Sequence, residues 1–205
     1  MNNASPRFED ERDFMQIRFA GETFEPQLSG ALYWPAERTL VVADLHLEKM
    51  SSFAGSGQLL PPYDTRLTLS GLARDIVDTG ARRVICLGDS FHRDAGVNSL
   101  PADDLARVTS LTAQCEWIWI AGNHDPAPTE LGGAHLAEHA IGSLTFRHIA
   151  ETGATGEVSG HYHPKVRMRG RRPCFLADGN RVILPAFGVY TGGLLVSDPV
   201  FDGLF

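Results

Sequence analysis

Three short apolar runs in this chain end in polar residues of one chemical type. Thr39-Leu40-Val41-Val42-Ala43 leads into Asp44-Leu45-His46, and Arg83-Val84-Ile85-Cys86-Leu87 into Gly88-Asp89-Ser90-Phe91-His92. Trp117-Ile118-Trp119-Ile120-Ala121 leads into Gly122-Asn123-His124-Asp125. Runs of bulky apolar residues at this length fit strands covered on both faces. Between the runs the period lengthens. Leu69, Leu72, Ala73, Ile76 and Val77 share one face of a helix that starts at Asp64, an N-cap candidate, and closes at Gly80. Leu105, Val108, Leu111 and Cys115 mark the buried stripe of a second helix that starts near Pro101. Strand, helix, strand, helix, strand predicts parallel pairing through right-handed crossovers.

The flanks read differently. Residues 14–19 alternate like a strand, and 31–34 with 39–43 form a hairpin about a four-residue turn, Pro35-Ala36-Glu37-Arg38. Residues 48–63 form a long Ser-, Gly- and Pro-rich loop, and its place directly after Asp44 and His46 suits a substrate lid. After Asp125 a loop-like stretch to Glu138 precedes short strands at 141–149, 157–159, 166–172, 174–176, 181–184 and 193–196. Asp178-Gly179-Asn180 is a hairpin turn signal, so this half is expected to be mostly antiparallel. Residues 1–12 read as a flexible N-terminus and 13–205 as a single domain, with no repeat and no linker.

Composition narrows the setting. Hydrophobic residues make up 43% of 205, enough for a sizeable core. The formal net charge of −7 opposes polyanion binding except at a local basic patch or through bound metal. Three scattered cysteines give no disulfide framework, and Cys86, mid-strand, reads as a small buried hydrophobe. With no signal-peptide core and no segment of membrane-spanning length, a cytoplasmic location is expected.

The polar endings carry the chemistry. With His148 and the later Gly160-His161-Tyr162-His163, the candidate ligands are Asp44, His46, Asp89, Asn123, His148, His161 and His163. Carboxylate, imidazole and amide oxygen suit divalent first-row ions, with Mn²⁺ first and Fe²⁺ or Zn²⁺ as alternatives. Cysteine is absent from the set, which argues against a structural zinc site. Seven ligands suit two ions, with Asp89 as a bridging candidate. Two ions about 3.5–4 Å apart activate water and hold both oxygens of an in-line displacement at phosphorus. Ligands in α/β sheets gather beyond the carboxyl ends of strands, where these residues fall.

Asp44-x-His46, Gly88-Asp89, Gly122-Asn123-His124-Asp125, a lone His148 and Gly160-His161-x-His163 resemble, in that order, the calcineurin-like metallophosphoesterase family. The resemblance implies an α/β fold, a four-layer α/β/β/α sandwich with a dimetal site at one end. It implies that Asp44, His46, Asp89 and His163 hold one ion, and Asp89, Asn123, His148 and His161 the other. His124 would act as acid or leaving-group stabiliser, with Asp125 orienting it. Residues 42–49, 60–65 and 117–126 are similar to the bacterial ligase-associated DNA-damage-response phosphoesterase subgroup. That implies a phosphodiesterase or endonuclease of DNA repair, with a DNA ligase, an exonuclease and a helicase as partners. Rival expectations are a hydrolase of small nucleotides or phosphomonoesters and a non-catalytic scaffold on the same fold.

Protein-phosphatase members follow Gly-Asp with x-x-Asp-Arg-Gly, whereas this chain has His92, Arg93 and Asp94. Arg93 keeps a phosphate-contacting role within reach, while His92 in place of an acid argues against phosphoprotein substrates. His92, His135 and His139 read as surface or loop histidines, because the ligand set is full without them. His148 lies within a strand pattern, where a core histidine is the competing reading. Lys165, Arg167, Arg169 and Arg171 alternate, so in one strand they share a face. That stripe could hold a nucleic-acid backbone, Lys165 and Arg167 foremost, or could guard an edge strand against aggregation.

Overall fold

The parallel pairing expected from the strand–helix rhythm is present in the computed structural model, which describes residues 16–49, 63–91, 100–125 and 131–205. The first sheet runs in chain order. Strands β1 (Ile17–Phe19), β2 (Glu22–Pro26), β3 (Leu32–Trp34) and β4 (Thr39–Val42) form an antiparallel meander. Strands β5 (Arg83–Leu87), β6 (Glu116–Ile120) and β7 (Ala134–Leu136) then continue from β4 in parallel. Helix α1 (Asp64–Thr79) connects β4 to β5, and α2 (Ala102–Gln114) connects β5 to β6.

Each element follows from local chemistry. Gly80 ends α1 in the left-handed conformation, its N–H on the Val77 carbonyl. Leu69, Leu72 and Ile76 bury the helix's inner face, while Val77, expected on that face, is exposed. Pro35–Glu37 forms a 3₁₀ turn, and Arg38 adopts a positive φ to start β4. Every residue of β4 is buried, as a strand with a helix on one side and a second sheet on the other requires.

The second sheet runs β13 (Leu176–Ala177), β14 (Arg181–Ile183), β10 (Glu157–Ser159), β9 (Leu144–Phe146) and β8 (His139–Ile141). Its centre is parallel, β14 on β10 and β10 on β9; only the outer pairs are antiparallel. The expectation of a mostly antiparallel half is corrected here, because β9, β10 and β14 are joined by long crossovers that period-2 patterning does not reveal. The run 141–149 divides at Gly142-Ser143 into a hairpin. The run 166–172 likewise divides into β11 (Lys165–Arg167) and β12 (Arg171–Pro173), an antiparallel pair outside both sheets. Residues 193–196 make a single bridge, Lys165 to Leu195, rather than a strand. Asp178 turns β13 into β14 as expected, its Oδ1 accepting the amides of Asn180 and Arg181. Strands β2 and β7 were not anticipated.

Val41, Ile85, Leu87, Ile118 and Ile120 of the first sheet meet Phe146, Val158, Val182 and Leu184 of the second in one core. The other face of the first sheet packs on α1 and α2 through Leu40, Val84, Leu72 and Val108. Each fully buried aliphatic is worth about 1.5–3 kcal/mol, so the two sheets are firmly registered. The outer face of the second sheet is covered by a C-terminal 3₁₀ segment, Pro199–Gly203, through Phe201. The layers are thus helix, sheet, sheet and a short 3₁₀ cap. Among the described residues no helix is long and apolar enough to cross a membrane. The reading of 1–12 and most of the lid expectation over 48–63 lie outside the described residues.

Candidate metal centre

Strands β4, β5 and β6 end side by side, and their loops stay tied to one another. Asp44 N–H reaches the Gly88 carbonyl at 3.3 Å, His46 N–H the Asp89 carbonyl at 2.9 Å, and Leu47 N–H the Ser90 carbonyl at 2.9 Å. From the second sheet, Gly160 N–H bonds the His148 carbonyl at 3.0 Å, and His161 N–H donates to Asp44 Oδ2 at 2.9 Å. The segment after β14 closes the ring, with Phe187 and Gly188 amides on the carbonyls of Ala43 and Asp44.

This convergence strains the backbone. Of nine non-glycine residues with positive φ among those described, Asp44, His46, Glu48, Asp89, His161 and His163 lie here. Left-handed non-glycine residues cost energy and persist where the surroundings over-determine them, characteristically at functional sites. Two glycines of the motifs make room. A Cβ at Gly122 would stand 2.1 Å from the Asp89 nitrogen, and one at Gly88 would stand 2.5 Å from His148 Nδ1.

Two ligand groups result: Asp44, His46 and His163; and Asp89, His148 and His161, the donor atoms of each within 4.8 Å of one another. In the first, buried Asp44 Oδ1 and His163 Nε2 face each other at 3.2 Å with no hydrogen bond between them. In the second, His148 Nδ1 donates to the Leu87 carbonyl at 2.8 Å. That bond leaves Nε2 facing inward, 2.9 Å from Asn123 Oδ1, 3.1 Å from His161 Nδ1 and 3.4 Å from Asp89 Oδ1. A metal-binding histidine typically anchors its other nitrogen in this way. His148, for which a core histidine is the competing reading, is buried and belongs to the second ligand group.

Electrostatics agree. Burial pushes His46 down to about 4 against the pull of Asp44, and burial with the charge of His148 lowers His161, so both are neutral at pH 7. Burial alone would raise Asp89, but the His148 hydrogen bond and charge and the His124 amide outweigh it and hold the carboxyl at about 2. Burial also opposes charging of His148, yet Asp89, Asp44 and the Leu87 carbonyl raise it overall. The cluster draws positive charge inward. Its nitrogen and carboxylate donors, with the orphaned Asp44 Oδ1 and His163 Nε2, fit two divalent ions.

The other predicted residues take separate places. His124 is half-exposed, its amide on Asp89 Oδ1 at 2.8 Å and its ring 5.7 Å from that of His46, beside both groups and in neither. Asp125 does not hold that ring. Its Oδ2 accepts the amides of Ser90 at 2.7 Å and Phe91 at 3.1 Å, a correction to the orienting role implied by resemblance. Burial pushes this carboxyl up to about 6 despite the two amides. Lys165 is half-buried, its Nζ on the Thr191 carbonyl at 2.9 Å, and Arg167 is exposed. Arg93 and His92 lie outside the described residues. His135 stacks on Trp119 and His139 lies in β8, both outside the two ligand groups.

Sequence reasoning missed the backbone wrap through Gly188, which nothing in residue type announces. It also missed Lys49, whose amine is pushed down by burial and then by the charge of Lys165. Lys49 also acts on His46, so two lysines flank the first ligand group. A cavity of about 300 Å³ opens on the side of Asn123 and His148, bounded by Arg147, Ile149 and Glu151.

A solved structure of the Pseudomonas putida nuclease MPE is similar to this chain with TM-score 0.73 and 28% identity, over 89% of each chain. Yfce, a phosphoesterase from E. coli, is similar at TM-score 0.40 and 14% identity, over 76% of this chain and 83% of that one, too loosely to bear on the fold. No family model and no curated protein matches the chain. The α/β sandwich expected from the motifs is the fold observed.

Proposed function

We propose that this chain, a metallophosphoesterase in fold and in the order of its ligand residues, hydrolyses phosphodiester bonds at a two-metal centre. The observation that carries the reading is the convergence of two three-residue ligand groups at the ends of β4, β5 and β6. Asp44, His46 and His163 would hold one ion, His148, His161 and Asn123 the other, and Asp89, beside His148 and the His46 loop, would contribute to both. Two divalent ions bound there would supply an activated water and charge neutralisation at the phosphoryl oxygens.

The chain's own residues do the rest. His124, half-exposed beside Asp89 and outside both ligand groups, is the acid that protonates the departing ester oxygen in this reading. Asp125 fixes the Ser90–Phe91 backbone and with it the approach of Asp89. The cavity beside Asn123 and His148 has room for one ester arm. The nuclease neighbour favours nucleic acid as the natural diester. Retention of His124 beside a full ligand set argues against a non-catalytic scaffold.

The test is a metal-by-substrate matrix: Mn²⁺, Fe²⁺ and Zn²⁺ against bis-p-nitrophenyl phosphate, p-nitrophenyl phosphate, cyclic nucleotides and single- and double-stranded DNA. Metal-dependent hydrolysis with diesters ahead of the monoester is expected. A monoester preference overturns the diesterase reading, and inactivity of a two-metal protein on every substrate overturns catalysis.

A further inference from the structure

We propose that the β11–β12 ribbon is a nucleic-acid arm, which grips the phosphate backbone a few nucleotides from the metals and makes this centre favour polymers over small diesters. The inference rests on the diesterase reading and adds the substrate class and the residues that select it.

Residues 161–177 carry Lys165, Arg167, Arg169, Arg171 and Arg172 and no acid, within a chain whose net charge is −7. The charges are not arranged as expected for one strand. The chain reverses at Arg169-Gly170, and Arg167 pairs directly with Arg171, with Val166 opposite Arg172. Paired positions share a face, so Arg167 and Arg171 stand side by side on one surface of the ribbon. Like charges directly opposite are destabilising, and a lone two-stranded ribbon is marginal in water. Among the described residues none of the four arginines forms an ion pair, although Arg66, Arg83, Arg107, Arg147 and Arg181 all do. The ribbon lies outside both large sheets. A polyanion across that face relieves the repulsion.

The base of the ribbon is rigidly joined to the metal centre. Lys165 N–H bonds the Leu194 carbonyl at 2.8 Å, Val196 N–H bonds the Lys165 carbonyl at 2.9 Å, and Cys174 N–H bonds the Pro164 carbonyl at 3.0 Å. Lys165 follows His163 by two residues, and Arg167 lies two residues further on, paired with Arg171. Positive charge therefore runs from beside the first ligand group along Lys165 to Arg167 and Arg171. Arg167 lies four residues beyond His163, at most about 14 Å at full extension. With one phosphate per about 3.4 Å of strand in duplex spacing, that is about four nucleotides from the scissile bond.

The experiment compares wild type with the charge reversal Arg167→Glu/Arg171→Glu and with Arg18→Glu/Arg74→Glu, which changes net charge equally from exposed positions outside the ribbon. The readout is the ratio of kcat/KM on an oligonucleotide to kcat/KM on bis-p-nitrophenyl phosphate, across salt and oligonucleotide length. For the ribbon variant the ratio falls about tenfold or more at low salt. Its salt slope flattens by about 1.4 on single strands or about 1.8 on duplex, and the larger of the wild-type ratios on single-stranded DNA, duplex DNA and RNA names the polymer. Wild type gains with length until the chain exceeds about four nucleotides, and the variant does not. The outer control keeps the wild-type ratio. Equal loss on both substrates, or the same loss in the control, overturns the arm. Should no form hydrolyse any diester, the diesterase reading fails instead. Anisotropy of a labelled phosphorothioate oligonucleotide then judges the arm alone: weaker binding by the ribbon variant than by the control upholds it, and equal binding overturns it.

Discussion

Two buried polar clusters lie at opposite ends of β10, and they solve the same problem in opposite ways. Beneath the 151–156 loop, Arg181 is 2% exposed, yet its Nη1 lies 3.3 Å from Glu157, and Nη2 donates to the carbonyls of Glu151 and Ala154. Glu157 accepts the Glu151 amide as well, and Arg147 adds a second cation with Glu138 and Glu151 beyond it. Cation faces anion, although Glu157 Oε1, Arg181 Nε and Nη1 and Arg147 Nε and Nη1 make no hydrogen bond. In the metal centre the donor atoms of two ligand groups crowd together instead: Asp44 against His163, and Asn123 and Asp89 against His148. Charges paired within the protein stabilise a fold; carboxylates and ring nitrogens gathered at one point are suited to take up a cation.

Breaking the metal cluster gives the largest effect. Asp89→Ala should lose both ions and, since each supplies several kcal/mol of transition-state stabilisation, at least about 10³-fold in kcat. Metal-free stability should fall modestly, because the Asp89 carboxylate accepts the His124 amide and is held ionised by His148. Elemental analysis and urea melts with and without metal check this; a variant that keeps two ions and its metal-dependent stabilisation breaks the assignment.

Breaking the charge-paired cluster comes next. Arg181→Ala leaves Glu157 buried without its close cation, at a cost of about 3–5 kcal/mol from a total of about 5–15. Activity per folded molecule should hold. Burial pushes the Glu157 carboxyl up against the pull of the Glu151 amide, Arg181 and Arg147, so desolvation weighs heavily on this pair. Replacing both partners, Arg181→Met/Glu157→Leu, should therefore recover most of the loss in a urea denaturation series. A double variant as unstable as the single one shows that the pair itself is net stabilising.

His124 sharpens the contrast from within the site, since it borders the acceptor cluster without joining it. His124→Ala should lose about 10²–10⁴-fold in kcat with both ions bound. The loss should grow as the leaving group becomes more basic, because an alkoxide needs a proton more than p-nitrophenolate does. Equal loss across diesters of graded leaving-group pKa makes His124 a ground-state phosphate contact.

The parallel core and most of the metal centre were legible in the sequence for one physical reason. A strand buried on both faces is a run of apolar residues, and the residue after the run must sit at the sheet's end. Val42 to Asp44, Leu87 to Asp89 and Ile120 to Asn123 therefore announce strand, turn and site together. The second half offered no such signal. Its strands are two or three residues long, and period cannot distinguish parallel β9, β10 and β14 from hairpins. The alternation of Lys165, Arg167, Arg169 and Arg171 suited one strand, but Gly170 at φ 113 turns the chain back. The Arg181–Glu157 pair stayed invisible because the partners are far apart in sequence and share no motif.

Asp125 gives the smallest effect and the finest discrimination. It follows His124 directly, so adjacency suggested that it orients the imidazole. Its carboxylate instead holds the amides of Ser90 and Phe91, the two residues after Asp89, and so stitches the β6 loop to the β5 loop. Asp125→Asn keeps an acceptor oxygen but removes the charge that strengthens both bonds. The consequence belongs to the metal centre: Asp89 loses its fixed approach, and metal affinity should fall about 10–100-fold, as for other groups that support a ligand from behind. At saturating metal kcat should be nearly restored, with no dependence on the leaving group. An orienting role for His124 predicts the reverse, unchanged metal affinity and a kcat loss that grows with leaving-group pKa. Activity titrated with Mn²⁺, repeated on a fast and a slow leaving group, separates the two. A kcat defect that survives saturation and tracks the leaving group returns Asp125 to His124 and removes it from the support of Asp89.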